Sequence, residues 1–298
     1  MIDLVIEARR HDIGNFEVGR VLPFHAKRMV GPFTFLDHMG PAEFAPGFPK
    51  SADVRPHPHI GLSTLSYLFQ GEITHRDSVG SLAVIKPGEV NWMTAGSGIT
   101  HSERFETLRR QGGKMDGMQA WIALPKEFEE VDPSFTHHEG DAELPYYESG
   151  GLKARLIAGE AFGAKANVPV YSPLFYVHWE LAAGTTAALP AEYSERAAYV
   201  ASGRVEVDGR ELSALQMAVF APGDTIVFKA LEPSTVMLLG GEPIGPRFME
   251  WNFVSSSKDR LEQAKADWKA GRMKLPDLDH DEFIPLPESK PPPPAPPM

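Results

Sequence analysis

Short apolar runs, broken every few residues by turn signals, occupy most of the chain. "STLSYLFQGEITHRD", "SLAVIKPGEVNWMTAG", "LFYVHWELAAG" and "MAVFAPGDTIVFKA" combine β-branched and aromatic residues with Gly, Pro or Asp at their breaks. Runs of that length and composition predict strands, and many in series predict an all-β barrel or sandwich. Helical periodicity is convincing only in "SSSKDRLEQAKADWKAG", where a Ser N-cap, an acidic first turn and a stop at Gly271 delimit one helix. The closing "KPPPPAPPM" lacks the amide donors of regular structure and predicts an extended, mobile tail.

The pattern repeats. "YLFQGEITHRDSVGSLAVIKPGEV", from Tyr67, aligns with "YVASGRVEVDGRELSALQMAVFAPGDT", from Tyr199, both closing on a Pro-Gly-acid turn (Pro87-Gly88-Glu89 and Pro222-Gly223-Asp224). Two copies of one antiparallel β-domain are therefore expected. The boundaries this implies are a first barrel over 1–135, a linker over 136–150 and a second barrel over 151–245. A helix-bearing extension over 246–288 and the Pro-rich tail over 289–298 complete the chain.

Composition narrows the chemistry. With 29 basic against 40 acidic side chains the net charge is −11, and no Lys/Arg run offers a cationic face for nucleic acid or an anionic membrane. The start, "MIDLVIEARRHDIG", is too charged for a secretory signal, so a cytoplasmic protein is expected. The chain has no cysteine, which leaves histidine and carboxylate as the donors for any metal.

Those donors occur in two dyads. "RPHPHIG" places His57 and His59 two apart, so on a strand both rings point to one face. Pro56 and Pro58 suit a strand entrance or edge better than a strand centre. "AGSGITHSERF" supplies His101 and Glu103 at the same spacing, and antiparallel pairing can bring the dyads together inside a barrel. Three imidazoles and one carboxylate leave about two positions open on a six-coordinate metal, the preference of ferrous iron, though zinc accepts the same donors. His75, His137, His138 and His280 lack a paired partner and are expected to be ordinary polar residues. His178 is expected in the wall of the second barrel, and His25 and His38 carry no assignment. In the second copy the alignment sets Leu189 and Ala191 opposite His57 and His59, and Val236 and Leu238 opposite His101 and Glu103. One metal-bearing barrel and one metal-free barrel follow.

The His-Pro-His-x-Gly run, "GEITHRDSVG", "KPGEVNWMTAGSGITHSE" and "WNFVSSSKDRLEQAKADWKAG" together resemble the pirin family of the cupin superfamily, over about residues 2–288. The resemblance implies a bicupin with one mononuclear divalent metal in the first barrel, usually Fe(II), with Zn, Mn, Ni or Cu as alternatives. The family's ligands fall on His57, His59, His101 and Glu103. It further implies quercetin 2,3-dioxygenase activity, with a flavonol and dioxygen as substrates and Glu103 as ligand and base. Phe35, Trp92, Met93 and Met118, placed near the motifs, are the candidates to cradle a flat substrate. A competing expectation is an iron-dependent, redox-responsive regulator read by a partner protein, and a third is a zinc or nickel enzyme outside oxygenation. Many relatives carry a glutamate four residues after the second ligand histidine; Ser63 stands there, which questions chemistry needing a second carboxylate.

Overall fold

A computed structural model describes residues 1–12 and 17–288; the Pro-rich tail lies outside the described residues. Two antiparallel barrels are built on one plan. In the first, a long sheet runs Ser134–His138, Val90–Thr94, Leu62–Gln70, Gly113–Ala123, Phe33–Phe44, Glu17–Leu22 and Arg9–Asp12. A short sheet of Val54–His59, Ile99–Arg104, Ile73–Asp77 and Leu82–Ile85 closes it. In the second, the long sheet runs Ile2–Glu7, Gln216–Phe220, Glu195–Ser202, Ser234–Gly241, Leu174–Leu181, Leu152–Ala161 and Tyr146–Ser149. Its short sheet is Thr186–Leu189, Ile226–Ala230, Arg204–Val207 and Arg210–Ser213.

The long sheets share a single core, and the period of two along each strand decides what enters it. On Gly113–Ala123, Met118, Ala120 and Ile122 join Leu65, Tyr67 and Trp92 against Tyr176, Tyr199 and Met237 of the second barrel. The alternate residues Gln119 and Trp121 line the interior of the first barrel instead. Both faces are apolar or neutral, which is why these strands read as continuous runs rather than clean alternation.

Three expectations need correction. The first strand, Ile2–Glu7, pairs with Gln216–Phe220 and so belongs to the second barrel's sheet, although it precedes the first barrel in the chain. The segment 136–150 is no plain linker: Ser134–His138 is an edge strand of the first barrel and Tyr146–Ser149 an edge strand of the second. The repeat alignment holds from Tyr67 through Asp77 but slips at the Pro-Gly turns. Val90–Thr94 pairs with Leu62–Gln70 as Gln216–Phe220 pairs with Glu195–Ser202. Ile99–Arg104 then corresponds to Ile226–Ala230, so Ile226 and Phe228, not Val236 and Leu238, stand opposite His101 and Glu103. A Pro-Gly turn is common enough to occur at two different corners of one fold, and it misled the alignment.

The helix Lys258–Lys269 forms as expected, with the Ser257 hydroxyl accepting from the Arg260 amide. It buries Leu261, Ala264 and Trp268 against Ile60 and Phe253, which returns the C-terminal extension to the first barrel. Gly61 permits that return. It adopts φ +67°, and a Cβ there would meet the Val254 carbonyl oxygen at 2.0 Å.

Candidate metal centre

Backbone pairing assembles the site. Val54–His59 and Ile99–Arg104 run antiparallel with His57 opposite His101 and His59 opposite Ile99, so the three imidazoles share the barrel interior. Val54–His59 is a sheet edge, where its two prolines cost no ladder bond between strands. The ligand-capable nitrogens of His57, His59 and His101 lie within 4.8 Å of one another, and all three residues are buried. Their ring centroids are 4.4 to 5.1 Å apart.

Each ring is oriented through Nδ1. His57 Nδ1 lies 2.8 Å from the Arg55 carbonyl, His59 Nδ1 3.2 Å from the Asn252 carbonyl and His101 Nδ1 3.3 Å from His75 Nδ1. A ring donating from Nδ1 presents a lone pair at Nε2, the arrangement in which histidine binds metals. The Nε2 atoms of His59 and His101 are buried without a hydrogen-bond partner. Burial pulls the pKa of His57 down to about 4 and those of His59 and His101 well below the ordinary value, keeping the rings uncharged at neutral pH. Three neutral, convergent donors, two of them with orphaned nitrogens, fit a transition-metal ion, since buried polar atoms otherwise find partners.

Glu103 shares the cavity but not the cluster. Its Oε1 lies 3.1 Å from the Ser66 hydroxyl, which is also 3.0 Å from Gln119 Oε1, and its carboxylate lies outside the three-histidine group. Burial raises its pKa, partly opposed by His75 and by the Ser66 hydrogen bond. His75 needs reassignment. It is buried, bonded through Nε2 to Asp77 Oδ2 at 3.0 Å and stacked on Phe135 at 4.3 Å, so it supports His101 from behind. The local text "THRD" reads as a charged turn, and only the pairing of Glu103 opposite His75 places it inside.

The cavity in front of the histidines holds about 800 Å³. Phe35 lines it, stacked on Trp121 at 4.0 Å and 15°, and Trp121 meets His59 edge-on at 5.1 Å. Trp92, Met93 and Met118 do not line it. Trp92 and Met118 have the strand parity of the core between the barrels, and Met93 packs behind Phe35 and Trp121. Trp121 was missed although "QAWIA" places it one strand step from Gln119. Asn252, Trp251 and Ile284 also reach the cavity, contributed by the extension from far along the chain. Ser63 turns away from it, bonded to Thr94 Oγ1 at 3.0 Å on the opposite face from Ser66. A carboxylate at position 63 on this backbone would point into the core, so its absence removes nothing from the pocket.

The other histidines separate clearly. His25 and His280 are exposed, while His137 bonds Asn91 and His138 bonds Glu143 and Thr136. His38 and His178 are wall residues at the barrel junction, considered below.

Two stretches match described families: Pirin over residues 15–122 and the Pirin C-terminal cupin domain over residues 176–274. A pirin-like protein of Caulobacter vibrioides is 87% identical over 97% of this chain and 100% of its own. A solved quercetin 2,3-dioxygenase structure from Acinetobacter baumannii superposes with a TM-score of 0.88 at 34% identity, covering 96% of this chain and 95% of that one. A second such structure from the same organism gives 0.86 at 27% identity, covering 92% and 98%. With the three-histidine group, these likenesses imply a metal cofactor and a bicupin architecture. The chain belongs to the pirin family.

Proposed function

We infer that the protein is a metal-dependent dioxygenase that opens flavonols of the quercetin type. The observation that carries this reading is the meeting of three buried neutral imidazoles, two with orphaned Nε2 atoms, and an aromatic-walled cavity large enough for a flat bicyclic or tricyclic substrate. His57, His59 and His101 hold the ion, with Glu103 as the fourth donor, and ferrous iron is the expected occupant. A divalent metal bound there supplies Lewis acidity and the redox chemistry that dioxygen requires.

The chain's own residues do the rest. Trp121 and Phe35 present a stacked pair beside His59, against which the flavonol rings lie. Glu103, its basicity raised by burial, takes the proton of the 3-hydroxyl, and the Ser66 hydroxyl orients its carboxylate. The balance of the reaction is one flavonol and one dioxygen giving a depside and carbon monoxide, both oxygen atoms being retained in the products. The returning extension forms part of the cavity wall, where Trp251 and Asn252 reach it.

The test uses anaerobically purified, metal-loaded protein. Quercetin should drive oxygen uptake with one carbon monoxide released per oxygen, at a turnover of about 1 s⁻¹ or more. Glu103→Gln should lower turnover by about 100-fold or more while metal remains bound, as expected for a lost general base. Oxygen uptake without carbon monoxide, or full activity in Glu103→Gln, contradicts the reading.

A further inference from the structure

The two barrels meet through a matched row of side chains. In the first long sheet the row reads Gly19, His38, Met118 and Tyr67; in the second it reads Arg155, His178, Met237 and Tyr199. Across the junction the row makes two reciprocal hydrogen bonds. His38 Nδ1 lies 2.9 Å from the Tyr199 hydroxyl, and His178 Nδ1 lies 2.9 Å from the Tyr67 hydroxyl. The equivalence extends to a bulge in each sheet. Asp116 pairs with Gln70 past one bulge and Thr235 with Ser202 past the other, so Thr235 occupies the place of Asp116 and Ala201 that of Phe69.

Here the symmetry breaks in a directed way. His38 Nε2 bonds Asp116 Oδ1 at 2.7 Å. A carboxylate only accepts, so Nε2 carries the hydrogen, and in the neutral ring Nδ1 then accepts from the Tyr199 hydroxyl. At the second position the tyrosine bond is retained, but Thr235 supplies no carboxylate and His178 Nε2 is buried without a partner. Where the first copy has Gly19, the second has Arg155, whose Nη1 is likewise buried and unpartnered. Beside the smaller Ala201 and Thr235 lies a cavity of about 400 Å³ whose lining includes His178 and Arg155. The charges around it are accounted for. Arg155 Nη2 bonds Asp141 Oδ1 at 2.6 Å, Glu180 Oε2 lies 3.8 Å from Lys153 Nζ, and Asp116 is engaged by His38.

We propose that this junction cavity is a second ligand site, distinct from the metal centre, which binds a small carboxylate. One carboxylate oxygen takes on His178 Nε2 the place that Asp116 holds on His38, and Arg155 Nη1 donates to the other. The second copy has exchanged an internal acid for an arginine and a cavity, leaving two unpartnered nitrogens for an external acid. This goes beyond the dioxygenase reading and does not depend on it.

The test is a titration of metal-free protein, so that nothing bound at the metal centre contributes. The imidazole nitrogen signals of His178 are followed by NMR as acetate or succinate is added, with sodium chloride at matched ionic strength as the control. A saturable shift with Kd of about 1 mM or tighter, absent with chloride, is expected. Thr235→Asp rebuilds the internal pair and should abolish the shift while holding or raising the thermal midpoint. Arg155→Gln should weaken binding by about tenfold or more, the scale of one charge-assisted hydrogen bond. No saturable shift with either acid, or binding unchanged in both variants, overturns the proposal. The acetate and succinate arms separate monocarboxylate from dicarboxylate ligands.

Discussion

His75 shows how far a single residue's role depends on its register. It donates no atom to the three-histidine group, yet it sits on His101 Nδ1 and is itself held by Asp77. Loss of such a supporting bond frees the ligand ring, so His75→Ala should lower metal affinity by about 10–100-fold with little change in fold, read by metal competition. A second residue-scale effect concerns pH. Burial, with Arg155 nearby, pulls His178 down to about 4 from an ordinary 6.5. Between those values the unfolded chain binds a proton that the folded protein refuses, so this group's contribution to stability falls as pH falls from 6.5 toward 4. Metal-free protein should therefore lose thermal stability across that window, and His178→Gln should show a shallower slope in the same melts. An equal slope would show that His178 does not titrate on unfolding. His57, His59 and His101 were legible from period and pairing alone, because strand parity is local. His75, Trp121 and Asn252 were not, because their places depend on which strands become neighbours.

Among the elements, the C-terminal extension changes the picture of the site most. Beyond the helix it crosses the ligand strands: Thr100 Oγ1 bonds the Lys274 carbonyl at 2.5 Å, and the Ile284 amide bonds the Pro56 carbonyl at 2.8 Å. Arg104, nearly buried, anchors it with two bonds of 2.7 Å to Asp279 and one of 3.0 Å to Glu282. Ser102 adds a bond of 2.6 Å to Asp279. Asp279→Ala leaves Arg104 and Ser102 without these acceptors and should cost about 1–3 kcal/mol. Hydrogen exchange of the Ile284 amide, which bonds the Pro56 carbonyl, should quicken; unchanged exchange would show that the strap is held elsewhere. The helix inside this extension was readable from its cap and stop signals. Its destination was not, because a surface helix states that it has an apolar face but not which barrel it covers.

At the scale of the molecule, the two barrels form one unit. Ile2–Glu7 begins the chain and completes the second barrel's sheet, and the core between the long sheets draws on both halves. Tyr199→Phe removes the hydroxyl from buried His38 across that junction and should destabilise the whole protein in a single transition by about 1–3 kcal/mol; two separate transitions would contradict a shared core. The repeat revealed two copies and assigned the metal to the first, while its Pro-Gly turns misled the register of the later strands. The apolar equivalents Leu189, Ile226 and Phe228 nonetheless carry the same message, since imidazole and carboxylate donors stand in one barrel and hydrocarbon in the other. On the reading proposed above, His57, His59 and His101 hold a single metal in the first barrel. Anomalous diffraction at the absorption edge of the metal co-purified with the protein tests it most directly. One peak within coordination distance of the three Nε2 atoms is the predicted result; a peak elsewhere, or none from protein carrying a full equivalent of metal, would contradict it.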